Sequence, residues 1–208
     1  MTSRSERQAL GQLLAGCPRL AIRAGDVHGA ESFRDAGLLL VEKGIVVVAS
    51  GTRENRRIVL GFSSRGSLLP PPCREEQLAA LADSVLIPVS PDVQVHLLRF
   101  PAAAQAIVDS LLDALSERQE NLAQFANVPH AERLRAKLLQ LARAHGSVGA
   151  DGVLVDVPLT HELLAQAVGS ARETVTCALN TLQREGFLVR EGRRYRLTIS
   201  PDLLAAEE

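Results

Sequence analysis

Residues 160–185 read THELLAQAVGSARETVTCALNTLQRE, two short helical patterns on either side of a glycine. Thr160 is a hydroxyl-bearing residue suited to cap the first helix, and Glu162 falls in its positive first turn. Ala165 stands four residues before Gly169. A small side chain there lets two helices cross closely, and the glycine takes the left-handed conformation that a tight turn demands. Leu164, Val168, Val175 and Ala178 supply apolar contacts to lock the second helix across the first. Ser170 and Glu173 have the Ser-x-x-Glu spacing of a capping box opening that second helix. The spacing predicts a helix-turn-helix.

At about 100° per residue, turning Val175, Ala178, Leu179 and Leu182 inward puts Glu173, Cys177, Asn180 and Arg184 on the opposite face, with Arg172 and Thr176 at its edges. That face, with Ser170 just before it, is expected to contact DNA and to enter a major groove. Phe187 to Arg190, a turn at Glu191-Gly192, and Arg193 to Leu197 then predict a β-hairpin, the wing of a winged helix. Residues 184–197 hold five arginines and two glutamates, a local charge of +3 in a chain whose net charge is −1. The whole chain has no field to attract a polyanion, so this patch, with Arg193 and Arg194 at the hairpin tip, is the part suited to phosphates. The alternative reading of the same helices and hairpin is a protein-interaction module without specific DNA binding.

Outward from this segment the texture changes. The chain has 208 residues, 46% hydrophobic and 23% charged, an ordinary globular composition. Pro101 onward carries Ala104, Val108, Leu111, Leu115, Leu122 and Phe125 at alternating steps of four and three, with Arg118 the one polar intruder. This is a heptad seam, expected to pair with a second copy, and Ile107 and Leu112 flank it. Asn127-Val128-Pro129 reads as a cap followed by proline in the first turn of a new helix. Before the seam, Leu38 to Val41, Ile45 to Val48, Ile58 to Phe62 and Ser84 to Ile87 read as strands. Turns are expected at Lys43-Gly44, Ser50-Gly51 and Glu54-Asn55. A weak amphipathic helix is expected at 3–16. The fold class is α+β, in three parts: a β-roll over 1–100, a dimerisation helix over 101–127, and a winged helix-turn-helix over 128–208.

The longest apolar stretch, Ile45 to Ala49, is far below the ~20 residues of a membrane helix, and the opening residues are polar. A cytoplasmic protein without a membrane partner is expected. Cys17, Cys73 and Cys177 are too few and too scattered for a disulfide framework or a four-cysteine metal site. No phosphate loop, nucleophile elbow or paired metal-ligand spacing is present, so the reading is not an enzyme, with no cofactor.

Val168-Gly169-Ser170-Ala171-Arg172-Glu173-Thr174-Val175 resembles the Gly-x-x-Arg-Glu-Thr-Val signature of the Crp/Fnr family of bacterial transcription regulators. Ala21 to Val27 is similar to the start of that family's cyclic-nucleotide-binding-type β-roll. The resemblance implies a homodimer on double-stranded, pseudo-palindromic DNA, with RNA polymerase a candidate further partner. It implies that Arg172 contacts guanine or phosphate and that Glu173 accepts from cytosine N4, a second role beside capping. Cys177 stands where the family often has a guanine-reading arginine, so the preferred site is expected to differ there. Members that bind cyclic AMP carry a phosphate-binding cassette, and the corresponding stretch here is Gly66-Ser67-Leu68-Leu69-Pro70-Pro71-Pro72-Cys73-Arg74-Glu75. Three prolines remove three amide donors and enforce an extended path, so cyclic AMP is not expected to bind in the usual mode. Among the family's other inputs, a haem ligand would have to be His28 or His96, and a redox pair Cys17 with Cys73.

Overall fold

The computed structural model describes residues 13–51 and 57–200, with 121–127 described by their backbone. The chain divides into two compact units, Met1–Glu120 and Asn121–Glu208.

In the first unit the short apolar runs pair antiparallel into two four-stranded sheets. One has the order β1 (Leu20–Ile22), β8 (Ser84–Val89), β3 (Leu38–Lys43), β6 (Leu68–Leu69). The other runs β2 (Val27–Gly29), β7 (Glu76–Ala80), β4 (Ile45–Gly51), β5 (Arg57–Ser64). All four expected strands are present, within β3, β4, β5 and β8. The expected turn at Lys43-Gly44 carries the chain from one sheet to the other. Gly44 sits at φ +90°, and a Cβ there would lie 2.1 Å from the Ser84 hydroxyl, so only glycine fits. Ser50-Gly51 is not a turn. Ser50 pairs with Ile58 on one side and Glu76 on the other, and ladders on both edges override the local turn preference. Glu54-Asn55 lies outside the described residues, as do residues 3–12 of the expected first helix.

The run Leu38-Leu39-Leu40-Val41 has no polar alternation because both faces of β3 are covered. Leu39 and Val41 face Val46, Val48, Leu78 and Phe33 between the sheets. Leu38 and Leu40 face outward onto Leu97, Ala103 and Ile107. Those residues come from α1 (Pro91–Leu97) and the first turns of α2 (Pro101–Asn127). Ile107 thus anchors α2 to the β-roll, whereas Leu112, its partner in flanking the seam, is 55% exposed. Along the seam Val108, Leu111 and Leu115 are 47%, 37% and 52% exposed. The side chains of Leu122 and Phe125 lie outside the described residues. Arg118 does not sit idle in the seam: its Nη1 lies 3.6 Å from Oε1 of Glu76 on β7. Beside it the Glu117 carboxylate lies over Gly61, where a Cβ would approach it to 2.9 Å.

The second unit holds α3 (His130–His145), β9 (Gly146–Gly149), β10 (Gly152–Val155), α4 (His161–Val168), α5 (Arg172–Arg184), β11 (Leu188–Glu191) and β12 (Arg194–Leu197). The sheet order is β11-β12-β10-β9. Two local expectations are corrected at its start. Asn127 is the last residue of α2 rather than a cap, and Pro129 is the N-cap of α3 rather than its first helical residue. With ψ at 149° Pro129 is extended, yet its carbonyl accepts the first α3 bond from Arg133 N at 3.0 Å. Leu134, Leu138 and Leu141 of α3, Val153 and Val155 of β10, Leu164 and Val168 of α4, and Val175 and Leu179 of α5 are all buried.

Candidate nucleic-acid interface

Thr160 caps α4 as its sequence position suggests: Oγ1 accepts from Leu163 N at 3.0 Å. Gly169 ends the helix in the left-handed conformation, φ 58° and ψ 48°, and Ser170 N donates to the Ala165 carbonyl at 2.9 Å. The turn then aims α5 outward. Val175, Leu179 and Leu182 are buried and Ala178 half-buried, whereas Arg172, Glu173, Cys177, Asn180 and Arg184 are exposed. Glu173, Cys177, Asn180 and Arg184 therefore share one accessible face, with the exposed Arg172 at its edge.

The capping box does not form. The N-cap of α5 is Ala171, without a side-chain cap, and Ser170 Oγ is buried with no hydrogen-bond partner among the described residues. Ser170 belongs to the turn, where its own N–H is committed to Ala165, so its side chain points inward and is one residue too early to cap. Glu173 is consequently relieved of the capping role. Thr176 is half-buried: its hydroxyl donates to the Arg172 carbonyl at 2.8 Å and lies 2.8 Å from His161 Nδ1. Arg184 folds back on its own helix, Nε donating to the Asn180 carbonyl at 3.2 Å.

In the wing, Gly192 at φ +65° and Arg193 form the two-residue turn between Glu191 and its partner Arg194. Arg193 is exposed at this tip. The other arginines are not equivalent to it. Arg194 Nη1 is 3.5 Å from Asp156 Oδ1, and Arg196 Nε is 2.6 Å from Glu191 Oε1. Arg190 Nε donates to the Gly192 carbonyl at 3.0 Å, leaving its charge uncompensated by that bond. Two of the five arginines in 184–197 are thus neutralised within the fold, which the bare charge count does not reveal. His161 is an addition to the site, in contact with Thr176. Burial, then the guanidinium groups of Arg190 and Arg172, lower the His161 pKa. Periodicity gives no sign of this, because residues 161, 172 and 190 come within electrostatic range only after folding.

The stretch 66–75 contains β6, Pro70–Pro72 outside any regular element, and a turn with Arg74 at φ +43°, and it forms no helix. Cys17 packs half-buried against the outer core of the β-roll, and Cys73 and Cys177 are exposed; all three are free thiols. His28 stacks near Phe33, ring centroids 6.0 Å apart. Among the described residues no group of three or more His, Cys, Asp or Glu is placed to hold a metal ion, and no helix is long and apolar enough to cross a membrane.

Residues 132–206 match the Crp-like helix-turn-helix domain. The chain is 27% identical over 175 residues to the transcriptional regulator SdrP of Thermus thermophilus, covering 81% of this chain and 84% of that protein. It is 29% identical over 115 residues to the global nitrogen regulator of Synechococcus elongatus, 55% of this chain, so the match spans about half of that relative's length, 51%. Among solved structures, a mutant of CooA from Carboxydothermus hydrogenoformans superposes with a TM-score of 0.77 over 93% of this chain and 88% of its own, at 22% identity. Residues 132–206 are thus a Crp-like helix-turn-helix domain, and the chain as a whole is similar to transcription regulators of the Crp/Fnr type, with the fold of CooA.

Proposed function

We propose that this chain is a homodimeric, sequence-specific DNA-binding transcription regulator that acts without cyclic AMP, with 1–100 as sensor-like roll, 101–127 as dimerisation helix and 128–208 as DNA-binding domain. The observation that carries the proposal is the exposed face of α5, where Arg172, Glu173, Cys177, Asn180 and Arg184 stand clear of the core beside the Arg193 tip of the wing. Arg172 and Glu173 lie at the helix start, the part of a recognition helix that reaches base edges, and Arg193 is suited to the backbone. The apolar stripe of Val108, Leu111 and Leu115 on α2 supports pairing with a second copy, which would set two recognition helices on half-sites about one helical turn apart. Three prolines in a stretch that forms no phosphate-cradling helix support independence from cyclic AMP. Cytoplasmic location and contact with RNA polymerase follow from the same reading.

Selection of bound duplexes from genomic fragments tests this, the expected product being a pseudo-palindromic consensus whose affinity falls steeply with salt. The second reading, a protein-interaction module, is favoured by the two neutralised arginines of the wing. It takes over if selection enriches no sequence and affinity for duplex DNA is flat against salt.

A further inference from the structure

Arg118 occupies the heptad position of Leu111, one repeat earlier, which sets the two within about 20° of one another around α2. In a parallel pair of such helices equivalent seam residues meet across the axis, so two uncompensated guanidinium groups would face each other amid an apolar contact. The roll supplies the counter-charge. Glu76, the first residue of β7, directs Oε1 to Arg118 Nη1 at 3.6 Å, with the glutamate side chain 13% exposed and the arginine 36%. Its Oε2 accepts from Cys73 N at 3.2 Å, and its own N–H donates to the Cys73 carbonyl at 2.8 Å. The carboxylate is therefore held in place by the turn that leads into β7, whose Arg74 is the one residue other than glycine at positive φ among the described residues. Arginine reaches from the seam to the sheet because its long apolar stem carries the charge away from the helix axis. The neighbouring Glu117 carboxylate lies over Gly61 of β5, so α2 runs close along the sheet at this level.

We propose that Glu76 licenses self-association: it draws the Arg118 charge out of the seam and neutralises it, so that α2 pairs with a second copy only while this intrachain ion pair is made. The inference rests on the reading of α2 as a dimerisation helix and adds to it a positioning residue on the β-roll. A partly exposed ion pair adds little to the stability of a single chain. Its effect is concentrated in association, where the alternative is a like-charge encounter inside an apolar seam.

The test is sedimentation of the full chain as wild type, E76Q, R118L and E76Q/R118L, with L115D as the reference for a lost helix contact. Glutamine keeps an oxygen for the Cys73 amide and removes only the charge that balances Arg118. E76Q is expected to raise the dimer dissociation constant by ~tenfold or more, R118L to leave it at or below the wild-type value, and the double variant to follow R118L. The E76Q loss should also shrink as salt is raised from about 0.05 to about 0.5 M, since screening weakens repulsion between two cations. E76Q pairing as tightly as wild type overturns the proposal. So does an E76Q defect that R118L fails to rescue, which assigns Glu76 to the folding of the roll instead. A wild type that is monomeric throughout, or dimers untouched by L115D, overturns the dimerisation-helix reading and this inference with it.

Discussion

Arg133, on α3 and almost fully buried, reaches with Nη2 to the carbonyl oxygen of Gly169, the left-handed residue that ends α4, across 3.4 Å. A buried cation thus holds the corner of the helix-turn-helix from behind. Arg133→Met keeps much of the side-chain volume and removes the donor, and is expected to cost ~1–3 kcal/mol in urea unfolding of the winged unit. Gly169→Ala, which forces a Cβ into the left-handed region, is expected to cost ~1–2 kcal/mol. Unfolding midpoints equal to wild type in both variants would remove this corner from the stability of the fold.

The exposed stripe on α2 gives the second prediction. Leu115→Asp puts a charge where Val108, Leu111 and Leu115 would meet a second copy, at positions half open to solvent in one protomer. Monomers in sedimentation, with DNA affinity reduced by more than ~tenfold, are expected, since each half-site is then bound alone. A dimer with unchanged affinity would exclude this helix as the interface.

Cyclic AMP supplies the third. Residues 66–75 form no helix, and Pro70–Pro72 have no amide protons to offer, so the stretch lacks the helix N-terminus that would cradle a cyclic phosphate. Calorimetry is expected to give no saturable heat at micromolar nucleotide, with the nucleotide-free protein already competent for DNA. Saturable binding that alters duplex affinity would refute this.

The fourth separates base reading from backbone anchoring. Glu173→Ala is expected to cost ~1–3 kcal/mol on the preferred duplex and to relax discrimination at one base pair. Arg193→Ala should weaken preferred and random DNA alike and lower the salt slope by about one. Arg194→Ala should change that slope less, because Arg194 is paired with Asp156. Sequence preference altered by Arg193→Ala and untouched by Glu173→Ala would reverse the two roles.

The fifth concerns pH and stability. His145 is half-buried at the end of α3, and burial lowers its pKa from the ordinary 6.5. The unfolded chain then binds the proton more readily. Stability owed to this group is whole above about pH 6.5 and is lost as the pH falls below it. The Tm of H145Q should fall less than that of wild type between about pH 7.5 and about pH 5.5. Equal falls would assign the acid sensitivity elsewhere.

What could be read before folding was what short-range geometry decides. Thr160 and Gly169 announce a cap and a left-handed turn because both roles are local, and the strands around Leu38 and Ile45 announce themselves by composition. Ser170 misleads because its spacing to Glu173 fits a capping box, yet its position directly after Gly169 commits it to the turn. Strands β9 and β10 were invisible: Gly146, Gly149 and Gly152 dilute their pattern, and β9 is held by pairing with β10. Arg118 looked like a flaw in a heptad and is a partner for Glu76, which lies 42 positions away in the sequence. The encounters of His161 with Thr176 and of Arg194 with Asp156 likewise depend on tertiary placement. They change which charges are free, so the wing was legible as a hairpin but not as an electrostatic surface.

The prolines between β6 and β7 also bear on the unfolded chain. Each restricts its own φ and biases the residue before it toward extended backbone, so the denatured ensemble has fewer paths to surrender over Pro70–Pro72. At ~0.4–1 kcal/mol per compatible proline, ordering this stretch is easier by ~1–3 kcal/mol than for a flexible sequence. A segment whose shape is largely set by its own covalent rings has little disorder left for a small molecule to remove. It therefore has little of the entropy through which binding there could be felt elsewhere in the chain.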